Sequence, residues 1–143
     1  MKKKILGAII LVLLIVIITP RNRNFGQNEI THLVVERANT MNNFYSNRID
    51  YAAAACKLEE IESGNLLETD KNNLKCYFNT DIDLVQTCTV QSVSIKEETE
   101  DLLCADVNVY WCTSGLDGEV ELTREYFVIC EKDGEKFKLV GFF

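Results

Sequence analysis

At 143 residues the chain has room for one compact domain and an N-terminal hydrophobic segment, and 47% of it is apolar. Its charge is uneven: from Asn24 onward ten Lys and Arg face 22 Asp and Glu, a net of −12. A surface that acidic repels phosphate backbones and offers no basic cluster to neutralise them, which argues against nucleic-acid binding.

Lys2, Lys3 and Lys4 precede an uncharged apolar run from Ile5 to Ile18, closed by Thr19, Pro20, Arg21 and Arg23. As a helix this run spans about 21 Å, short of the roughly 30 Å hydrocarbon layer, a length shared by signal-peptide cores and short anchors. The places where signal peptidase wants small residues hold Ile, Thr, Pro or Arg. The segment therefore reads as an uncleaved anchor with Lys4 and Arg21 snorkelling at its ends. More cations precede the run than follow it, which sets the N-terminus in the cytoplasm and the remainder outside. The resulting expectation is a single-pass protein: an anchor over 1–20, in the membrane through residues 5–19, a linker over 21–27 and an extracytoplasmic domain over 28–143.

Beyond the linker, Ile30, Leu33, Val34, Met41, Phe44 and Tyr45 recur at three- and four-residue steps and predict a helix. His32, the only histidine, falls off that stripe and reads as solvated. Asp50 is placed to cap a second helix carrying Tyr51, Ala54, Ala55, Leu58 and Ile61, with Gly64 as its C-terminal cap. A shorter third helix is predicted from Asp70 to Phe78. From Leu84 the period changes to two. Strands are expected over Val85 to Ile95, over Leu103 to Trp111, through Val120, Leu122, Tyr126 and Val128, and around Phe137 and Leu139. Turns fall at Glu97 to Asp101, at Gly115-Leu116-Asp117-Gly118 and at Asp133-Gly134. Helices followed by a four-strand meander is an α+β order: helices packed on one face of a curved antiparallel sheet.

Six cysteines, Cys56, Cys76, Cys88, Cys104, Cys112 and Cys130, all lie after the anchor. An even number outside the cytoplasm suggests disulfides, with free buried thiols as the alternative. A metal site finds little support in a chain with one histidine and no Cys-x-x-Cys. If Leu103, Val107 and Trp111 face the helices beside Val93 and Ile95, a hairpin centred near Thr99 or Glu100 sets Cys88 across from or diagonal to Cys112 on the other face. Cys56 and Cys76 would then link the second and third helices. Cys104–Cys130 is left by elimination, although strand matching puts those two on opposite sides unless a bulge intervenes.

Few residues invite chemistry. The acidic runs Glu59-Glu60 and Glu97 to Asp101 read as solvated faces and turns. Cysteine pKa values in so acidic a surround should rise, and phosphate-binding glycine loops, Ser-His-Asp arrangements and His-Glu-x-x-His are all missing from the sequence. No catalytic residue, metal or cofactor is expected. Arg124 lies between Leu122 and Tyr126 on the core side of its strand, so Trp111, Arg124 and Tyr126 are candidate lining for an interior pocket. Asp106, Asn108 and Tyr110 share the opposite face and are candidates for contact with another protein.

The segment Phe44-Tyr45-Ser46-Asn47-Arg48-Ile49-Asp50-Tyr51-Ala52-Ala53-Ala54 resembles the helix-break-helix opening of the NTF2-like (SnoaL-like, cystatin-like) superfamily. The closing Tyr126 to Phe142, with its Lys132-Asp133-Gly134 turn, is similar to that superfamily's last hairpin. The resemblance covers roughly 28 to 143 and implies a conical α+β domain, often dimeric through the sheet. The acid and histidine sets of the superfamily's enzymes have no counterpart here, so no catalytic role carries over. The expected function is a non-catalytic, membrane-anchored, extracytoplasmic interaction domain. It would form a homodimer or dock on other envelope proteins, including those of secretion or conjugation assemblies. A domain binding a small molecule in the cone interior is the alternative.

Overall fold

A computed structural model describes residues 24–78, 80 and 82–143. The anchor expected over 1–20 lies outside the described residues, and no helix among those described is long and apolar enough to cross a membrane. Among the described residues, three helices, α1 (Phe25–Tyr45), α2 (Tyr51–Ile61) and α3 (Gly64–Cys76), precede four strands, β1 (Leu84–Glu98), β2 (Leu102–Gly115), β3 (Gly118–Asp133) and β4 (Lys136–Phe142). The strands form one antiparallel meander in the order β1-β2-β3-β4, and the helices pack on one face. The protein is α+β.

Helix α1 starts at Phe25, so the last residues of the expected linker are helical. Its stripe of Ile30, Leu33 and Val34 is buried against Leu103, Ala105, Val107 and Val109 of β2, Val128 and Cys130 of β3, and Leu139 of β4. Side chains tie α1 along β1: the Gln27 amide donates to the Val93 carbonyl at 3.1 Å, and the Val85 N–H donates to Asn42 Oδ1 at 3.0 Å. A second cluster of Phe44, Ala54, Leu58 and Leu74 fills the space among the three helices. Asn47, at φ 57°, makes the break between α1 and α2, a left-handed conformation that asparagine tolerates better than most residues. Asp50 Oδ1 then accepts the Ala53 N–H at 2.8 Å and starts α2.

Two helix boundaries differ from the sequence expectation. Gly64, at φ 63°, opens α3 rather than closing α2, and α3 ends at Cys76. Asp70, taken as the start of the third helix, is buried in the middle of it, where its carboxylate meets a cation from α1. A helix-starting acid and a buried ion-pair partner are the same letter in a sequence, and only the packing of α3 against α1 tells them apart.

In the sheet, the β1–β2 turn closes with the Thr99 N–H donating to the Leu102 carbonyl at 2.9 Å. The β1–β2 register then shifts three times, between Ile95 and Glu97, Val90 and Ser92, and Val85 and Thr87. The shift at Val90 inverts the alternation. Val93 and Ile95 face the helices on odd positions, whereas Val90 and Cys88 face them on even ones.

Candidate functional site

The bulge at Val90 decides the cysteine geometry. Cys88 sits opposite Trp111 and packs against the core, whereas Cys112 sits opposite Thr87 and Glu121 on the outer face. The expected Cys88–Cys112 pair is therefore split across the sheet. Cys104 sits opposite Ile129 on the outer face and Cys130 opposite Leu103 in the core, so that pair is split as well. Cys56 and Cys76 are exposed, and all six thiols are free. Burial pushes the Cys88 thiol up to about 11 and that of Cys130 up to about 12. Cys104 and Cys112 are raised by desolvation and then by the acids around them, Glu97 and Glu131 for the first and Glu119 and Glu121 for the second. Such thiols are poor nucleophiles at neutral pH.

The interior candidates are partly brought together. The Trp111 and Tyr126 rings meet edge-on with centroids 6.3 Å apart, and Tyr126 stacks on Phe142 at 4.4 Å. Arg124 shares their side of β3 opposite Val109, yet it is exposed, out where β3 passes beyond the helices. Beside this ladder lies a recess of about 210 Å³ between α1 and the start of β1, lined by Arg37, Tyr45 and Trp111 among others. Trp111 Nε1 is a buried donor with no acceptor among the described residues. Neither Arg124 nor Tyr126 lines the recess. His32 is exposed on α1 and lines neither this recess nor the groove-like space beside it.

A charged cluster that the sequence did not announce sits behind the ladder. Arg37 of α1 places its guanidinium carbon 4.9 Å from the Phe142 ring centre. Its Nε donates to Asp70 Oδ2 at 2.7 Å, Nη2 lies 2.7 Å from the same oxygen, and Nε is also 3.0 Å from Glu62 Oε1. Both carboxylates are sealed, Glu62 at 0% exposure and Asp70 at 1%. Because the Nε hydrogen points to Asp70, neither Glu62 oxygen is properly hydrogen-bonded. Two acids thus share one cation. Burial first, then the Asp70 charge, raises the Glu62 carboxyl to about 8, so Glu62 holds a proton at neutral pH. Tyr45 is raised for the same two reasons. Glu62 was legible only as the residue after a helix, and its burial follows from a tertiary contact: its backbone bridges to Leu139, with the Ser63 N–H donating to the Leu139 carbonyl at 2.9 Å.

On the outer face, Asp106, Asn108 and Tyr110 lie together as alternation along β2 requires. Asp106 pairs with Lys96 at 2.7 Å, Asn108 donates to Ser92 at 3.1 Å, and the Tyr110 hydroxyl is raised by desolvation first and then by Glu121. The sequence reading missed the apolar end of this face. Phe127 and Phe143 exchange backbone hydrogen bonds of 3.0 and 3.1 Å and are 39% and 74% exposed. Gly141 gives the Phe143 ring its seat, since a Cβ there would lie 2.6 Å from it, and Ile129 and Cys104 continue the apolar strip. Phe127 is in step with Ile129 on β3, so strand alternation alone places it on this face.

No protein-family model matches this chain, and no curated protein sequence matches it. Among solved structures, the crystal structure of the intermembrane space region of the chloroplast protein ARC6 is similar at a TM-score of 0.49 and 14% identity. The match covers 80% of this chain and 92% of that one. A likeness of that degree bears on neither family nor function.

Proposed function

We propose that the chain is a non-catalytic protein-interaction domain, held outside the cytoplasm by its N-terminal segment, that docks on an envelope protein through the outer sheet face. The observation that carries this reading is the strip of Phe127, Phe143, Ile129 and Cys104 on that face, two of whose members are large and exposed. Aromatic side chains surrounded by satisfied polar groups are what the centre and rim of a protein contact are made of. Asp106, Asn108 and Tyr110 supply that polar surround. The sealed carboxyl pair supports the non-catalytic part, since an acid at 0% exposure has no side open to a substrate. The NTF2-like resemblance of residues 28 to 143 agrees with use of this face, because sheet-to-sheet contact is common in that superfamily.

Chemical crosslinking in cells followed by purification of the full chain tests the reading, with Phe127→Ser beside the unaltered protein. The expected result is one reproducible set of crosslinked proteins, or a homodimer, lost in the Phe127→Ser variant while its fold is unchanged. Capture that is the same in both forms would set the outer face aside.

A further inference from the structure

A groove of about 540 Å³ opens at the far end of the helices, where α1 stops, α2 starts and α3 ends. That volume is in the range of roughly 300 to 1,000 Å³ typical of small-molecule sites. Its floor is apolar: Phe44 and Leu74 are members of the inter-helix core, and Ile49 and Tyr51 are packed against it. One wall is the Phe78 ring, whose centre is 5.7 Å from that of Phe44 and which is 52% exposed.

What sets the groove apart is that two cations without a carboxylate partner among the described residues line it together. Five of the domain's ten cations, Arg37, Lys71, Lys96, Lys132 and Lys138, form ion pairs with carboxylates. Arg48 and Lys75 do not: no described carboxylate lies within 4.0 Å of their nitrogens, and both line this groove. The ammonium of Lys75 is held over the Tyr51 ring, 5.3 Å from its centre, at the groove wall. Asp50 also lines the groove, but its carboxylate is engaged by the Ala53 N–H as the cap of α2. In a domain of net charge −12, an apolar trough flanked by two cations that no described carboxylate pairs is a local inversion of charge.

We propose that this groove binds an organic monoanion with an apolar body, in the class of arylalkyl or medium-chain carboxylates. The body lies on Phe44, Tyr51 and Phe78, and the carboxylate is taken between Arg48 and Lys75. A guanidinium grips a carboxylate by two parallel hydrogen bonds, and the field of the remaining acids rejects ligands that carry more than one negative charge. This site is on elements other than the outer sheet face and stands independently of that reading.

The test uses three ligands with one body: 4-phenylbutyrate, 4-phenylbutanol and 4-phenylbutylamine. Each is titrated by calorimetry into the full chain in phosphatidylcholine nanodiscs, with empty nanodiscs subtracted. The expected result is binding of phenylbutyrate with a Kd below about 1 mM, at least about tenfold tighter than the alcohol, and no binding of the amine. The double variant Arg48→Glu, Lys75→Glu alters two exposed side chains, and it should lose at least about tenfold in phenylbutyrate affinity with an unchanged circular dichroism spectrum. Phe78→Ala should weaken phenylbutyrate and phenylbutanol together, whereas Phe127→Ser should alter neither. Equal affinity for the three ligands, no phenylbutyrate binding at about 10 mM, or wild-type affinity in the double variant would each overturn the proposal.

Discussion

Arg37 is asked to balance two buried acids, Glu62 and Asp70, and can fully satisfy one. The consequence is a pH dependence of definite sign. Folded Glu62 keeps a proton up to about 8 that the unfolded chain releases near 4.5. Its contribution to stability is therefore fully present below 4.5, falls as pH rises from there to about 8, and changes no further above that. Glu62→Gln removes the titration while keeping the shape. Thermal melts should place the variant above the unaltered protein by about 1–3 kcal/mol at pH 9, with the gap closing at pH 5. A constant gap across that range would mean that Glu62 is not protonated in the fold. The cysteines make a second residue-level prediction. With Ellman's reagent, native protein should react first at Cys56 and Cys76, whereas Cys130 should react only after unfolding. Titration of fewer than six thiols in denaturant would show that a disulfide exists. None of this geometry was legible in the sequence: Arg37, Glu62 and Asp70 are ordinary charged letters in helical stretches, and only the packing of α1, α3 and β4 brings them together.

The elements themselves were largely legible because local signals agreed with the tertiary fold. The stripe from Ile30 to Tyr45, the Asp50 cap, the period-two strands and the Gly115-to-Gly118 turn all appear where residue chemistry puts them. What escaped was what depends on partners. The bulge at Val90 has no glycine or proline to mark it, yet it reverses Cys88 and so removes the expected cross-strand pairing. Gly64 carries a positive φ as a C-cap glycine does, but the chain uses it to enter α3 directly. The Asp50 cap gives this scale its prediction. Asp50→Ala leaves the Ala53 N–H without its acceptor and should cost about 1 kcal/mol, read as a lower midpoint in urea with an unchanged slope. No loss would mean that solvent replaces the cap without penalty.

Across the whole molecule, the two faces of the sheet divide the work. One is spent on the helices, with Val107, Val109, Val128 and Leu139 fully buried, and a recess of about 210 Å³ lies beside Trp111. Of the candidate pocket residues, Trp111 and Tyr126 are packed against the core, and Arg124 is in solvent. The other face ends in an uncovered aromatic strip opposite the helices. The most direct measurement of the docking account is site-specific photocrosslinking in cells. A photoreactive phenylalanine analogue replaces Phe127 in one form of the full chain and the exposed Lys57 of α2 in another. The account predicts a discrete crosslinked band from position 127, either a homodimer or one envelope protein, and none from position 57. No crosslink from 127, or the same products from both positions, would contradict it.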